Sequence, residues 1–187
     1  LNIKYLKSPF VGQVLQRNYA HKYLEDHIKV VIHLDDDITL YDNSIENFIS
    51  VWNNEKELTG PPLGGLSFNI KDAYIPKASF FRKLFFMDVY KKGDVSKAGY
   101  AITYFPPLCT TRVKWLIGGA TGWNRSLIDN YPHPIDFPTR WAICEDLMYS
   151  YMLNRNYRLL VAKDGWANHN ETYKAITFRQ SILQGLS

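Results

Sequence analysis

The sequence predicts an α/β fold in which helices flank a mostly parallel sheet. Short β-branched runs alternate with segments whose apolar residues recur at helical spacing, which is typical of sheets built through helical crossovers. The 187 residues are 46% hydrophobic and 21% charged, so a packed core can form and general disorder is excluded. We therefore expect residues 1–187 to belong to a single domain.

Four segments are expected to be helical or to begin a helix. They are residues 13–26, a helix after the potential N-caps Asp42, Asn43 and Ser44, residues 123–128, and a helix that begins near Cys144. The expected apolar faces are Val14, Leu15, Tyr19 and Tyr23 in the first, Ile45, Phe48, Ile49 and Trp52 in the second, and Cys144, Leu147, Met148, Tyr151 and Met152 in the last.

Four segments are expected to be strands: residues 29–34, 66–70, 100–105 and 157–162. A turn rich in glycine and proline, residues 59–65, precedes the second strand. Residues 74–86 are aromatic and irregular, and residues 116–122 are rich in glycine.

Three adjacent carboxylates end the first predicted strand. Asp35, Asp36 and Asp37 repel one another, and this is costly at the end of a buried strand unless a cation neutralises them. Ligands of open α/β sheets bind at the carboxyl ends of strands, and hard oxygen ligands suit Mg2+ or Mn2+. A solvated acidic turn that caps the next helix is the alternative. An EF-hand is excluded because its glycine and final glutamate are missing.

Two further motifs carry ionisable groups in the C-terminal part of the chain. Glu145 and Asp146 open the last predicted helix, where the helix dipole favours carboxylates for structural reasons alone. A firmly held carboxylate at this position is also what a general base requires. His169 follows the last predicted strand, and it is either an ordinary polar histidine or a metal ligand.

The order of these motifs is informative. The ordered set resembles the GT-A fold glycosyltransferases, most closely glycosyltransferase family 2. That family has an acidic DxD motif after a buried strand, then a glycine loop, an xED motif that opens a helix, and a C-terminal histidine. The matching residues are Asp35-Asp36-Asp37, Gly118-Gly119-Ala120-Thr121-Gly122, Cys144-Glu145-Asp146 and His169, and residues 12–18 resemble the helix that flanks the nucleotide site.

The resemblance implies a GT-A, Rossmann-like domain that is an inverting, divalent-metal-dependent glycosyltransferase. It would move a sugar from a nucleotide-diphosphate sugar to a hydroxyl of a glycan or a lipid-linked acceptor. Asp146 would be the general base, and Glu145 would support it or touch the acceptor. Asp37 and His169 would bind Mn2+ or Mg2+ together with the donor diphosphate. Asp35 would bind the ribose or the metal of the nucleotide sugar, and the donor site would further include Arg17, Asn18, Asp36, Gly118 and Gly119.

Two tryptophans are candidates for stacking against the sugar. Aromatic faces suit the C–H faces of sugar rings, and Trp123 and Trp141 lie near the matching motifs. Both tryptophans can equally belong to the core. The glycines at 118, 119 and 122 likewise either form a tight turn or let the backbone approach a ligand closely.

The family's fold starts with a strand, a helix and a second strand that cradle the nucleotide base. This chain opens at about the third strand, and such a unit takes roughly 30 residues. We therefore expect the GT-A domain to be incomplete at its N-terminus, so that the isolated chain can be inactive. Two rival functions share the remaining motifs: a non-catalytic nucleotide- or sugar-binding module, and a retaining GT-A transferase.

Charge and cysteine content bear on partners and location. The net charge of +4 is spread along the chain without a recognition motif, so no nucleic-acid partner is expected. Two cysteines favour a reducing compartment, and no apolar run reaches the about 20 residues of a membrane span. We expect a cytoplasmic protein that is free or peripheral at the inner face of the membrane. Residues 77–92 mix aromatic and basic side chains, which fits an interfacial membrane helix, a core helix or an acceptor lid.

Overall fold

The computed structural model describes residues 3–71, 79–87, 92–101, 104, 106–135 and 144–170. These residues form a mixed α/β structure of five helices and a six-stranded sheet. The helices are α1 Gln13–His21, α2 Ser44–Lys56, α3 Phe80–Leu84, α4 Arg125–Asn130 and α5 Glu145–Leu153. The strands are β1 Val30–Leu34, β2 Ile38–Leu40, β3 Leu63–Ile70, β4 Thr111–Val113, β5 Ala120–Asn124 and β6 Arg158–His169.

The sheet is mixed, which corrects the expectation of a mostly parallel one. Its order is β1-β5-β3-β6-β2, with β4 also paired to β6. Within the described ranges β3 and β6 pair in parallel, and the other strand pairs are antiparallel. Three strands of this sheet were predicted from the sequence, and they run in one direction: β1, β3 and β6. The short strands β2, β4 and β5 were not predicted as strands, and each runs antiparallel to its neighbours.

Helix α2 buries two of the four residues of its predicted apolar face. Phe48 and Trp52 are buried, whereas Ile45 and Ile49 are 45% and 49% exposed. The buried positions begin at Ser44, whose hydroxyl donates to the carbonyl oxygen of Trp166 in β6. This polar anchor turns positions 44, 48 and 52, one helical turn apart, toward the sheet.

Helix α5 also buries residues other than the predicted ones, because its first residue, Glu145, is a buried polar residue with partners elsewhere in the fold. Glu145, Tyr149 and Leu153 lie one turn apart and are buried. The predicted apolar stripe is therefore wrong: Met148, Tyr151 and Met152 are exposed.

Glycines that were expected in loops lie within strands. Gly64 and Gly65 belong to β3, and Gly122 belongs to β5 rather than to a loop before a helix. A Cβ on Gly65 would lie 2.8 Å from the Trp123 ring, and one on Gly122 would lie 2.5 Å from the Phe48 ring. Close side-chain packing thus explains these strand glycines.

Two more boundaries differ from the sequence prediction. Helix α1 ends at His21 instead of continuing to residue 26. The strand expected at 100–105 lies partly outside the described residues, and Ala101 forms an isolated bridge with Val95.

Candidate functional site

The carboxyl end of β1 meets the glycine segment that precedes β5. The backbone N–H of Asp35 donates to the carbonyl oxygen of Gly119 at 2.9 Å. A Cβ on Gly119 would lie 2.7 Å from Cγ of Asp35, closer than real Cβ contacts. The absence of a side chain at Gly119 therefore lets the Asp35 carboxylate lie against the backbone.

We expect Gly119→Ala to displace the Asp35 carboxylate and to destabilise the fold by about 1–3 kcal/mol, as overpacking does. In an Asp35→Ala background the same substitution has no carboxylate to displace and should cost much less. Urea unfolding of the four proteins in a double-mutant cycle measures this coupling. Equal costs in the two backgrounds would contradict the proposed contact.

Asp146 faces the same glycine segment from the N-terminus of α5. Its Oδ2 accepts a hydrogen bond from the backbone N–H of Gly118 at 3.3 Å, and its Oδ1 accepts from the backbone N–H of Leu147 at 2.8 Å. Burial disfavours the charged form and raises the pKa of the Asp146 carboxyl above its usual value. Asp146 is thus a held carboxylate of increased basicity.

Arg17 links the two acidic motifs. Its side chain is 12% exposed, and its guanidinium donates to Oδ1 of Asp35 at 3.0 Å and to Oε1 of Glu145. Burial by itself would raise the pKa of Glu145, but the hydrogen bond from His133 and the charge of Arg17 outweigh it and lower that pKa. Arg17 was predicted to contact the donor, and here it binds two site carboxylates.

Asn18, also predicted to contact the donor, holds the backbone of the segment that leads toward α5. Its amide Nδ2 donates to the carbonyl oxygen of His133 at 2.8 Å, and its Oδ1 accepts from the N–H of His133 at 3.2 Å. Helix α1 therefore fixes Asp35, Glu145 and His133 through two adjacent side chains.

A buried cluster of three histidines lies beside these carboxylates, and the sequence interpretation missed it. The rings of His21, His33 and His133 have centroids 5.1–6.1 Å apart. Nε2 of His21 lies 2.9 Å from Nε2 of His33, and Nδ1 of His133 lies 3.2 Å from Oε2 of Glu145. Burial lowers the pKa of His21 to about 4 and that of His33 to about 2, so both are neutral at pH 7.

Asp37 and His169 meet at the end of the β2–β6 pair, as the metal-site hypothesis requires. Oδ2 of Asp37 lies 3.1 Å from Nε2 of His169, and the backbone N–H of Asn170 donates to the carbonyl oxygen of Asp37 at 2.8 Å. Oδ1 of Asp37 is buried without a hydrogen-bond partner, which fits a cation at this carboxylate.

Two ligands are fewer than a complete metal centre. Within the described ranges no group of three or more His, Cys, Asp and Glu side chains is arranged to hold a metal ion. Mg2+ and Mn2+ sites commonly use one or two carboxylates together with water and substrate phosphates. The Asp37–His169 pair is compatible with a site of this kind.

A cleft of about 550 Å3 opens beside the acidic triplet, within the size range of small-molecule sites. Asp36, the middle residue of the triplet, is exposed there. The cleft is lined by Val11, Gly12, Gln13, Gln16, Leu34, Asp35, Asp36 and Asp37.

The proposed stacking role of Trp123 is wrong. Trp123 is 1% exposed, and its ring packs edge-on against Tyr149 with centroids 5.0 Å apart, so neither face is open to a sugar. Trp141 lies outside the described residues. Comparison of the chain with protein-family models and with curated proteins gave no match.

Proposed function

We propose that this chain is a GT-A-like domain of an inverting, divalent-metal-dependent glycosyltransferase. The observation that supports it best is the position of Gly118 and Gly119 between Asp35 and Asp146. The acidic triplet, which is suited to bind a nucleotide sugar and its metal, thus lies near Asp146, which is suited to deprotonate an acceptor hydroxyl. The common direction of β1, β3 and β6 is compatible with a GT-A-like sheet.

The donor would be a nucleotide-diphosphate sugar bound in the cleft beside the acidic triplet. Asp37 and His169 would hold Mn2+ or Mg2+, and the unpartnered Oδ1 of Asp37 supports this assignment. The cation, when bound, compensates the negative charge of the leaving diphosphate. Asp35, held by Arg17 and by Gly119, would contact the ribose of the donor.

Asp146 would act as the general base. It accepts the proton of the acceptor hydroxyl while the acceptor oxygen forms a bond to the anomeric carbon. The bond from that carbon to the diphosphate oxygen breaks at the same time, and the nucleoside diphosphate leaves with the electron pair. A single displacement of this kind inverts the anomeric configuration. The raised pKa of Asp146 supports its role, whereas Glu145 is engaged by Arg17 and His133 and serves to position them.

We expect Asp146→Asn to lower the release of nucleoside diphosphate from a nucleotide sugar by about a hundredfold or more, because it removes the base. Nucleotide binding should be retained, since the amide keeps the size of the side chain. Asp129→Asn, at an exposed acid of α4, is the matched control and should leave turnover unchanged.

Three outcomes would contradict parts of this proposal. Unchanged turnover in Asp146→Asn would exclude its role as the base. A product with the anomeric configuration of the donor would indicate a retaining transferase. Nucleotide binding without any turnover in the unmodified protein would favour a non-catalytic binding module.

A further inference from the structure

Helix α3 and the turn after it expose five large apolar side chains. We call Phe80, Phe81, Leu84, Phe85 and Phe86 the phenylalanine patch. Each of them exposes between 56% and 74% of its surface. A contiguous group of large apolar side chains on a protein surface commonly marks an interaction site.

Three interactions hold the phenylalanine patch in place. The hydroxyl oxygen of Ser79 caps α3 by accepting from the N–H of Arg82 at 3.2 Å. The Arg82 guanidinium lies 4.5 Å from the centroid of the Tyr100 ring, and the N–H of Ala98 donates to the carbonyl oxygen of Phe86 at 3.4 Å. The apolar rings are therefore presented by a turn that is fixed on the residues around 95–101.

Basic residues are frequent in this part of the sequence. Residues 77–115 contain eight Lys and Arg and two Asp, a net charge of +6, whereas the whole chain carries +4. The rest of the chain is therefore net negative, which corrects the expectation that the positive charge is spread along the chain. Some of these charges are paired: in a cleft of about 230 Å3 lined by Lys92, Asp94, Arg112 and Lys114, Nζ of Lys114 lies 2.6 Å from Oδ1 of Asp94.

We infer that the phenylalanine patch is a peripheral contact with the surface of an anionic lipid bilayer. Its apolar side chains would enter the interface between head groups and acyl chains, and Lys83 and Lys97 would lie at the level of the anionic head groups. Phe and Leu carry no hydrogen-bonding group, and the five occupy almost every position of one short turn. A fluid apolar layer accommodates such an arrangement better than a groove of fixed shape.

The contact would lie on the membrane surface. No helix in the described part of the chain is long and apolar enough to cross a membrane. This inference does not depend on the proposed glycosyltransferase function, because no residue of the candidate active site takes part in it.

Vesicle co-sedimentation tests this inference with phosphatidylcholine vesicles that contain or lack phosphatidylserine. We expect binding to the anionic vesicles, weakened by about tenfold or more in Phe85→Ser, since burying a Phe side chain contributes at about this level. Ile49→Ser, at an exposed apolar residue of α2, is the matched control and should bind normally. Lys83→Glu should weaken binding to the anionic vesicles, whereas Lys29→Glu should have a much smaller effect.

A second variant guards against misfolding. Phe81→Ser changes a different ring of the patch. Because Phe81 and Phe85 are both exposed, Phe81→Ser and Phe85→Ser should retain the unfolding transition of the unmodified protein. Absence of binding to anionic vesicles by the folded, unmodified protein would overturn the inference. Equal losses in Phe85→Ser and Ile49→Ser would overturn it as well. Binding of single-stranded DNA but not of vesicles would do the same, because aromatic and basic side chains can also stack on bases.

Discussion

Replacement of Arg17 by alanine should lower the free energy of unfolding by about 3–5 kcal/mol, the cost of breaking a buried ion pair from one side. The Arg17 side chain is 12% exposed and that of Glu145 is 6% exposed. Without the guanidinium, Glu145 keeps only His133 as a charged or polar side-chain partner among its described contacts. Asp35, whose side chain is 38% exposed, can be solvated instead.

The matched control is Arg125→Ala. Arg125 pairs with Asp129 four residues later on α4, and the Asp129 side chain is 50% exposed, so this pair should contribute only about 0.5 kcal/mol. The Arg17→Ala cost should also fall in a Glu145→Gln background, where no buried carboxylate is left unpaired. Urea unfolding measures both comparisons. A cost for Arg17→Ala no larger than that for Arg125→Ala would contradict the bridging role.

Acidification should destabilise the protein by about 2–4 kcal/mol between pH 7 and about pH 5, because His21 and His33 must remain neutral in the folded state. The pKa of His21 falls to about 4 and that of His33 to about 2, against an ordinary value of 6.5. Below pH 6.5 the unfolded chain therefore binds more protons than the folded protein does. The free energy of unfolding consequently decreases as the pH falls.

The charged and titratable groups around the cluster modify the effect of burial on these pKa values. His133, Arg125, Arg17 and Asp129 act on His21, and Glu145 adjoins His133. The lowered pKa of Glu145 adds to acid destabilisation only at lower pH, whereas the raised pKa of Asp146 opposes acid destabilisation.

His21→Gln keeps a polar partner for His33 and removes one titrating ring. Its free energy of unfolding should depend less steeply on pH between pH 7 and about pH 5. His27→Gln is the control, because the His27 side chain is 73% exposed and lies outside the cluster. Equal pH dependence in His21→Gln and the unmodified protein would contradict this account.

The sequence predicted the parts of the site that are local. The β-branched run before Asp35 is β1, and the carboxylates follow it at the sheet edge. The Glu145-Asp146 pair opens α5 as expected. The contact of His169 with Asp37 spans 132 residues of sequence, so it is not local, and the order of the motifs alone suggested it. In each case a short pattern determines the local element, and the ordered motifs suggested which elements meet.

The parts that could not be predicted depend on distant contacts. His21, His33 and His133 each have ordinary sequence surroundings, and their association depends on where α1, β1 and the segment before α5 pack. The start of the buried face of α2 at Ser44, and the buried face of α5, were missed for a related reason. Polar residues, Ser44 and Glu145, begin those faces because they have partners elsewhere in the fold, which apolar spacing alone does not reveal.

The proposed function is tested most directly by calorimetric titration of UDP, GDP and dTDP into the protein with and without Mn2+. We predict that one nucleotide binds in a metal-dependent manner. This binding should be lost in Asp37→Ala and retained in Asp42→Ala, a change at an exposed acid outside the triplet. Nucleotide binding that does not require Mn2+ and is unchanged in Asp37→Ala would contradict the proposed metal-dependent donor site. Absence of binding of all three nucleotides would contradict it as well.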